Sequence, residues 1–332
     1  MLFSIVSRFR VDLLLLAVAV VWGSSYLATK DLTQHGGVLP VLALRFLLTT
    51  LAMVIVWAIW RLRGSGRTPG RVGLRHPGRR EIAVGCVLGC TQAAILALET
   101  FGVSRTSATN AGLIISLTLV FTPILESVAA RAWLPPAFFV AAVVAVVGVA
   151  LLVSDRGFQL PGVGDALMLA AALVRSVHVT VMARLTAGTT HSSLTLTLVQ
   201  SAVCALVFSL ADARGLGTAL RSFGPADWVG VIYLALACSV FAFLAQLWAI
   251  RRTSATRASL LLGTEPLWAV IIAVTLGAEA IGLLGVSGGI LILVGAWWAQ
   301  RIERRHRLSA LDARPVDLAP AAVTSADANP FS

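Results

Sequence analysis

The chain has 332 residues, of which 58% are hydrophobic and only 12% charged. A soluble domain carries about 25% charged residues, so there is too little charge to cover a water-facing surface, and one soluble globule is excluded. The net charge of +11 does not point to nucleic acid: it is almost all Arg, with Lys30 the single Lys, and it falls in the gaps between apolar runs without a basic groove of interleaved aromatics. Cationic gaps between spans suit membrane topology and anionic headgroups.

Crossing about 30 Å of hydrocarbon takes about 20 mostly apolar residues. Runs of that kind lie at 11–29, 39–60, 81–100, 107–130 and 135–153, then at 163–185, 192–211, 227–249, 257–277 and 280–299. They lack the alternation of barrel strands, so helices are the expected form. The expected fold is all-α: ten transmembrane helices, five in residues 1–153 and five in 163–300. The first run has no small-residue cleavage site after it and reads as a retained helix rather than a signal peptide. The Arg-, Gly- and Pro-rich stretch 61–80 reads as a topology anchor on anionic headgroups. Residues 301–332 read as a tail that begins basic and loses periodicity, with disorder expected from about 310.

Counting Lys and Arg between the runs gives 18 on the side of the N-terminus and 5 on the other. The positive-inside rule then places both termini in the cytoplasm of a multi-pass cell-membrane protein. Cys86, Cys90, Cys204 and Cys238 all lie inside apolar runs without metal-ligand spacing, and read as inert thiols. No cofactor or metal is expected.

The segment Arg105-Thr106-Ser107-Ala108-Thr109 recurs 147 residues later as Arg252-Thr253-Ser254-Ala255-Thr256. The same offset pairs Ala111 with Ala258, Leu113 with Leu260, Glu99 with Gln246 and Phe101 with Trp248. Five spans per half is an odd number, so the second half enters the membrane upside down. An inverted repeat of this kind is common among secondary transporters, where two similar halves exchange conformations around a central site.

Several stretches resemble the drug/metabolite transporter superfamily, in particular its ten-helix EamA-type members. They are Trp22-Gly23-Ser24-Ser25-Tyr26 through Lys30, Leu44-Arg45-Phe46, and Thr106 to Gly112. In the second half they are Ser254 to Leu260, Glu265-Pro266, and the glycine-rich Gly285 to Gly295. The resemblance covers about residues 11–300. It implies a bacterial inner-membrane carrier of amino acids, metabolites or toxic compounds, most often an exporter and in many members driven by protons. The chain departs from the pattern in three places. The Gly-Glu often found at the end of the fourth span of each half is missing after Ala129-Ala130, while the second half reads Leu276-Gly277-Ala278-Glu279. Pro123 lies 17 residues after Thr106, whereas Pro266 lies 13 after Thr253. Arg175 stands where the sixth span often carries Trp.

Ionisable groups at membrane depth are costly and read as functional by default. Arg45, six residues into the second span, either snorkels outward or serves as a gate or solute contact; the resemblance favours the latter. Glu99 and its repeat mate Gln246 either line the two vestibules or are solvated at the interfaces. Glu126 either faces the pathway or reaches the headgroups. Arg175 and Glu265 fall at the same estimated depth, about 12 Å from the inner face. They are expected to pair, or to bind a zwitterionic or charged solute together. His178, three residues from Arg175 on the same helix face, is a candidate for proton coupling. Trp22 and Tyr26 are either an aromatic wall or helix packing. Pro123 and Pro266 are hinge candidates. Gly85/Gly89 and Gly285/Gly289 are small-residue pairs for close packing, within a monomer or in a homodimer.

The expected partners are a small solute, membrane lipids and protons as a coupling ion. The alternative reading is a membrane-embedded enzyme acting on a lipid-linked substrate. It would call for clustered carboxylates or a His/Asp pair near one face, and the acids here are scattered. A primary pump would need a phosphate-cradling loop, which is absent.

Overall fold

A computed structural model describes residues 2–64, 78–131, 133–154, 162–186, 192–250 and 261–312. Among these residues the secondary structure is helical throughout, with no strand. In the first half the helices are α1 (Leu2–Gly36), α2 (Val38–Gly64), α3 (Arg79–Val103), α4 (Ala108–Ile115), α5 (Thr118–Ala130) and α6 (Pro136–Val153). In the second they are α7 (Val163–Thr186), α8 (Ser193–Ala211), α9 (Ala213–Ser222) and α10 (Pro225–Ile232). A π-helical segment (Tyr233–Phe241), α11 (Ala242–Ile250), α12 (Glu265–Thr275) and α13 (Leu283–Asp312) follow.

Eight helical stretches are long and apolar enough to cross a membrane, and two shorter apolar helices, Pro136–Leu152 and Glu265–Thr275, fall at the expected fifth and ninth crossings. Large apolar side chains such as Leu51, Val143, Leu206 and Ile290 point outward. That is the arrangement a lipid solvent selects, because helices satisfy their own backbone and leave the surface free to be greasy. Of the 301–332 tail, the described part continues the last helix to Asp312; residues 313–332 lie outside the described ones, as do 65–77 of the Arg-rich loop and the second copy of the five-residue repeat.

Local chemistry explains the joints. α1 and α2 are joined by Gly37 alone, at φ 74°, a left-handed conformation that glycine adopts without a Cβ clash. Ser107 caps α4 by accepting from Asn110 N at 2.9 Å. Pro136 occupies the first turn of α6, where its missing N–H is not needed.

The helical stretches at the positions expected for the fourth and ninth crossings are each interrupted by a turn. α4 ends and α5 begins across Ser116–Leu117, where Leu117 N donates to Ile114 O at 3.1 Å and Leu119 N to Ser116 O at 2.9 Å. The ninth breaks at Gly263–Thr264, with Thr264 N to Leu261 O at 3.2 Å and Leu267 N to Thr264 O at 3.0 Å. The 147-residue offset maps one break onto the other. Neither is centred on a hinge-candidate proline. Pro123 sits inside α5, past the break, and Pro266 sits in the first turn of α12. A hydroxyl bonds back to the preceding turn at each break instead: Ser116 Oγ to Leu113 O at 2.6 Å and Thr264 Oγ1 to Leu261 O at 2.6 Å.

Small residues set the closest approaches. Gly85 and Gly89 of α3 face Val199 and Val203 of α8. α13 packs most extensively on α6, where a Cβ at Gly288 would lie 2.5 Å from Gly148 O, and one at Gly295 would lie 2.7 Å from Ala145 N. The α13 seam therefore uses Gly288 and Gly295, two turns apart, with Gly289 turned to Leu113 of α4. At Gly23 a Cβ would meet Ala269 N at 2.7 Å, so α1 and α12 cross backbone to backbone.

Candidate functional site

A cavity of about 430 Å³ lies among α1, α2, α3, α7, α8, the π-helical segment, α11 and α12. Its wall includes all eight residues singled out as substrate or coupling candidates: Trp22, Tyr26, Arg45, Glu99, Arg175, His178, Gln246 and Glu265. Pro123, Pro266 and Glu126 are not part of that wall. Both halves contribute, and the volume is ordinary for a small-molecule site.

The expected Arg175–Glu265 pair does not form. Arg175 Nη2 donates to both oxygens of Glu99, at 2.9 Å each. Glu265 Oε1 instead accepts from Tyr26 Oη at 2.9 Å. Equal depth says nothing about azimuth, and α3 and α7 lie side by side, so Glu99 faces Arg175 directly. Glu99 is also buried. α3 runs on to Val103, one turn past it, and Glu99 forms part of the cavity wall. Glu99 and Gln246, expected as mates in separate vestibules, line the same space.

Arg45 turns into the cavity and does not snorkel away. Its Nε donates to Ser239 Oγ at 3.3 Å, and its guanidinium sits 5.5 Å from the centre of the Phe46 ring. Trp22 is fixed by donating Nε1 to Cys238 O at 3.0 Å and stands edge-on to Phe243, with ring centres 6.2 Å apart. His178 Nδ1 and Thr91 Oγ1 share a 2.6 Å hydrogen bond. Among the described residues no group of three His, Cys, Asp or Glu stands together as a metal site.

Three features of the structure escaped the sequence. The first is the π-helical segment, where Ser239 Oγ donates five residues back to Leu234 O at 3.1 Å. The wider turn puts the Cys238 carbonyl and the Ser239 hydroxyl against Trp22 and Arg45, a use of π-helix typical of functional sites. Nothing in the apolar run Tyr233–Phe241 announces it. The second is a pair of amides, Gln92 and Gln200, which a search for every mid-span polar residue would have found.

The third is a clamp at one end of the bundle. Glu279, in the loop after α12, accepts from Lys30 Nζ of α1 at 2.8 Å and from the first N–H groups of α4, Ala108 at 2.8 Å and Thr109 at 3.0 Å. Burial alone would raise the Glu279 carboxyl, but Lys30 and the Thr109 and Ala108 amides outweigh it and hold it below the ordinary carboxylate value. The same end is tied by His35 to Asp227 at 3.2 Å and by Asp165, which accepts from Thr106 at 2.6 Å and from Asn110 at 3.3 Å. At the other end Ser192 N donates to Glu81 at 2.9 Å, and Val11, Leu15 and Ala249 form an apolar cluster joined by Leu261 and Leu262.

Known proteins agree with this architecture. Residues 9–154, and again 162–300, match the EamA-like transporter family. A relative from Archaeoglobus fulgidus, described as an uncharacterized transporter, is 23% identical over 299 residues, covering 87% of this chain and 96% of that protein. One protein of known crystal structure shares the fold at a TM-score of 0.55 and 19% identity, covering 90% of this chain and 98% of that one. Two matches that together take in most of the chain, one to each half, settle its kinship: it is a membrane transporter of the EamA-like family.

Proposed function

We propose that the protein is a secondary active transporter that moves a small metabolite, amino acid or drug-like solute by alternating access. The proposed setting is the cell membrane, with both termini in the cytoplasm and export as the working direction. The excess of Lys and Arg on the N-terminal side supports the orientation, and the family resemblance supports the direction. The observation that carries the reading is one cavity, walled by charged residues from both halves, in a bundle whose helices are interrupted at two repeat-related positions. Broken helices within a protein interior let one half rock against the other without exposing unsatisfied backbone to lipid. In this scheme the clamp of Lys30, Glu279 and the α4 N-terminus closes one end, and opening that end separates them.

Glu265 is the proposed proton carrier. Its hydrogen-bond partner is a neutral phenol, whereas Glu99 is neutralised by Arg175. A carboxylate without a fixed counter-ion gains or loses a proton with the least rearrangement around it. Flux of a labelled solute panel in proteoliposomes, with and without a pH gradient, tests the reading. Gradient-driven flux is expected in the unaltered protein and is expected to vanish in Glu265→Gln. Unchanged flux and pH dependence in that variant would remove Glu265 from coupling and return His178 to consideration.

A further inference from the structure

We propose that the cavity recognises a bipolar solute, with its anionic group held at Arg45 and its cationic group at Glu265. This deepens the transporter reading and rests on it only in taking the cavity as the solute site.

Four permanently or readily charged side chains line the cavity: Arg45, Glu99, Arg175 and Glu265. Glu99 and Arg175 cancel one another, since one guanidinium nitrogen reaches both carboxylate oxygens. The other two are left over. The described contacts of Arg45 are to a neutral hydroxyl, Ser239, and to the face of Phe46. Those of Glu265 are to a neutral phenol, Tyr26. Neither forms an ion pair among the described residues, and the Arg175 guanidinium, whose charge also reaches Glu265, is already bonded to Glu99. A charge at membrane depth costs about 3 kcal/mol or more when unpaired. Two of opposite sign, kept apart in one cavity, therefore call for counter-charges brought by the ligand.

Their placement suggests its size. Trp22 donates to the carbonyl of Cys238, the residue before the one that holds Arg45. Tyr26, one turn further along α1, holds Glu265. The two charged subsites flank successive turns of α1, a rise of about 6 Å. That span suits a small molecule whose opposite charges are separated by a few bonds. The amides of Gln92, Gln200 and Gln246 add neutral donors and acceptors to the same wall. Arg175 is the weaker choice for the anion, because a solute carboxylate there would have to displace or sit against Glu99.

Equilibrium binding to the purified full-length chain in nanodiscs, read by tryptophan fluorescence and checked by calorimetry, tests this without transport. The probes are a panel of α- and ω-amino acids, each with its methyl ester, which lacks the anion, and its N-acetyl derivative, which lacks the cation. The best parent compound is expected to bind at least tenfold more tightly than either derivative. Arg45→Gln is expected to abolish the preference for acid over ester while sparing that for amine over N-acetyl, and Glu265→Gln to do the reverse. Arg45→Lys is expected to keep much of the acid preference, which separates charge recognition from misfolding. The proposal is overturned if no parent amino acid binds, if the derivatives bind as well as the parents, or if Arg175→Gln and not Arg45→Gln removes the acid preference. Tight bipolar binding without flux would leave this inference standing and sink the transporter mechanism; flux confined to singly charged solutes would do the opposite.

Discussion

The clamp at the end of the bundle and the cavity at its centre use the same residue types to different ends. Glu279 has three donors: one ammonium and two backbone amides at a helix N-terminus. Its charge is neutralised and both its oxygens accept hydrogen bonds, so it holds α1, α4 and the loop after α12 together. In the cavity only Glu99 and Arg175 are in direct ion contact, and Arg45 and Glu265 hydrogen-bond to neutral partners. The difference teaches that charge inside a membrane protein is not one signal. A fully partnered group is a tie, whereas an under-partnered one facing a cavity is available to a ligand or a proton.

The contrast breaks most sharply at the cancelled pair. Glu99→Gln leaves Arg175 without its carboxylate and is expected to lower unfolding stability by about 3 kcal/mol, read in a detergent unfolding titration. Adding Arg175→Gln is expected to recover part of that loss, since no charge is then stranded. A Glu99→Gln variant as stable as the parent would show that the pair is not a structural tie. At the clamp, Glu279→Ala removes a cap and an ion pair together and is expected to cost about 2 kcal/mol. Its second signature is faster hydrogen exchange of the Ala108 and Thr109 amides, the two it caps. Unchanged exchange there would mean that the cap contributes nothing.

The smallest effect is a dependence on pH. Because the folded Glu279 carboxyl sits below its ordinary value, the stability it adds is present in full above the ordinary carboxylate range. It is lost as the pH falls through the lowered folded value. Stability measured from neutral to acid pH should therefore fall less steeply in Glu279→Gln than in the parent. Parallel curves would contradict the assigned hydrogen bonds.

Much of this was legible in the residues, for a physical reason. Hydrocarbon excludes polar groups so strongly that Trp22, Tyr26, Arg45, Glu99, Arg175, His178, Gln246 and Glu265 stood out along apolar runs, and they meet in one wall. The number and order of those runs follow from length and apolarity alone. What the runs hide is azimuth. A helix apolar all round has no polar face to set its rotation, so depth could be estimated for Arg175 and Glu265 but not which neighbour each would face. The breaks at Ser116–Leu117 and Gly263–Thr264 were masked by the more conspicuous prolines nearby. The π-helical turn carries no compositional mark, and the clamp joins Lys30, Ala108 and Glu279 across 249 residues of chain. Glu279 itself had been visible as the family's Gly-Glu position, whose first-half counterpart by the repeat offset is Ala132. The repeat sets the backbone architecture, and departures from it decide which end carries the tie.

Alternating access of the proposed kind requires the two halves to thread the bilayer in opposite senses around the shared cavity. The direct measurement is labelling of single cysteines placed at Arg105 and at Arg252, the matching positions of the repeat, in a chain whose four native cysteines have been replaced. With a membrane-impermeant maleimide on intact cells, the cysteine at 105 should react at once and that at 252 only after permeabilisation. Reaction of both from the same side would contradict the inverted arrangement and the alternating-access mechanism built on it.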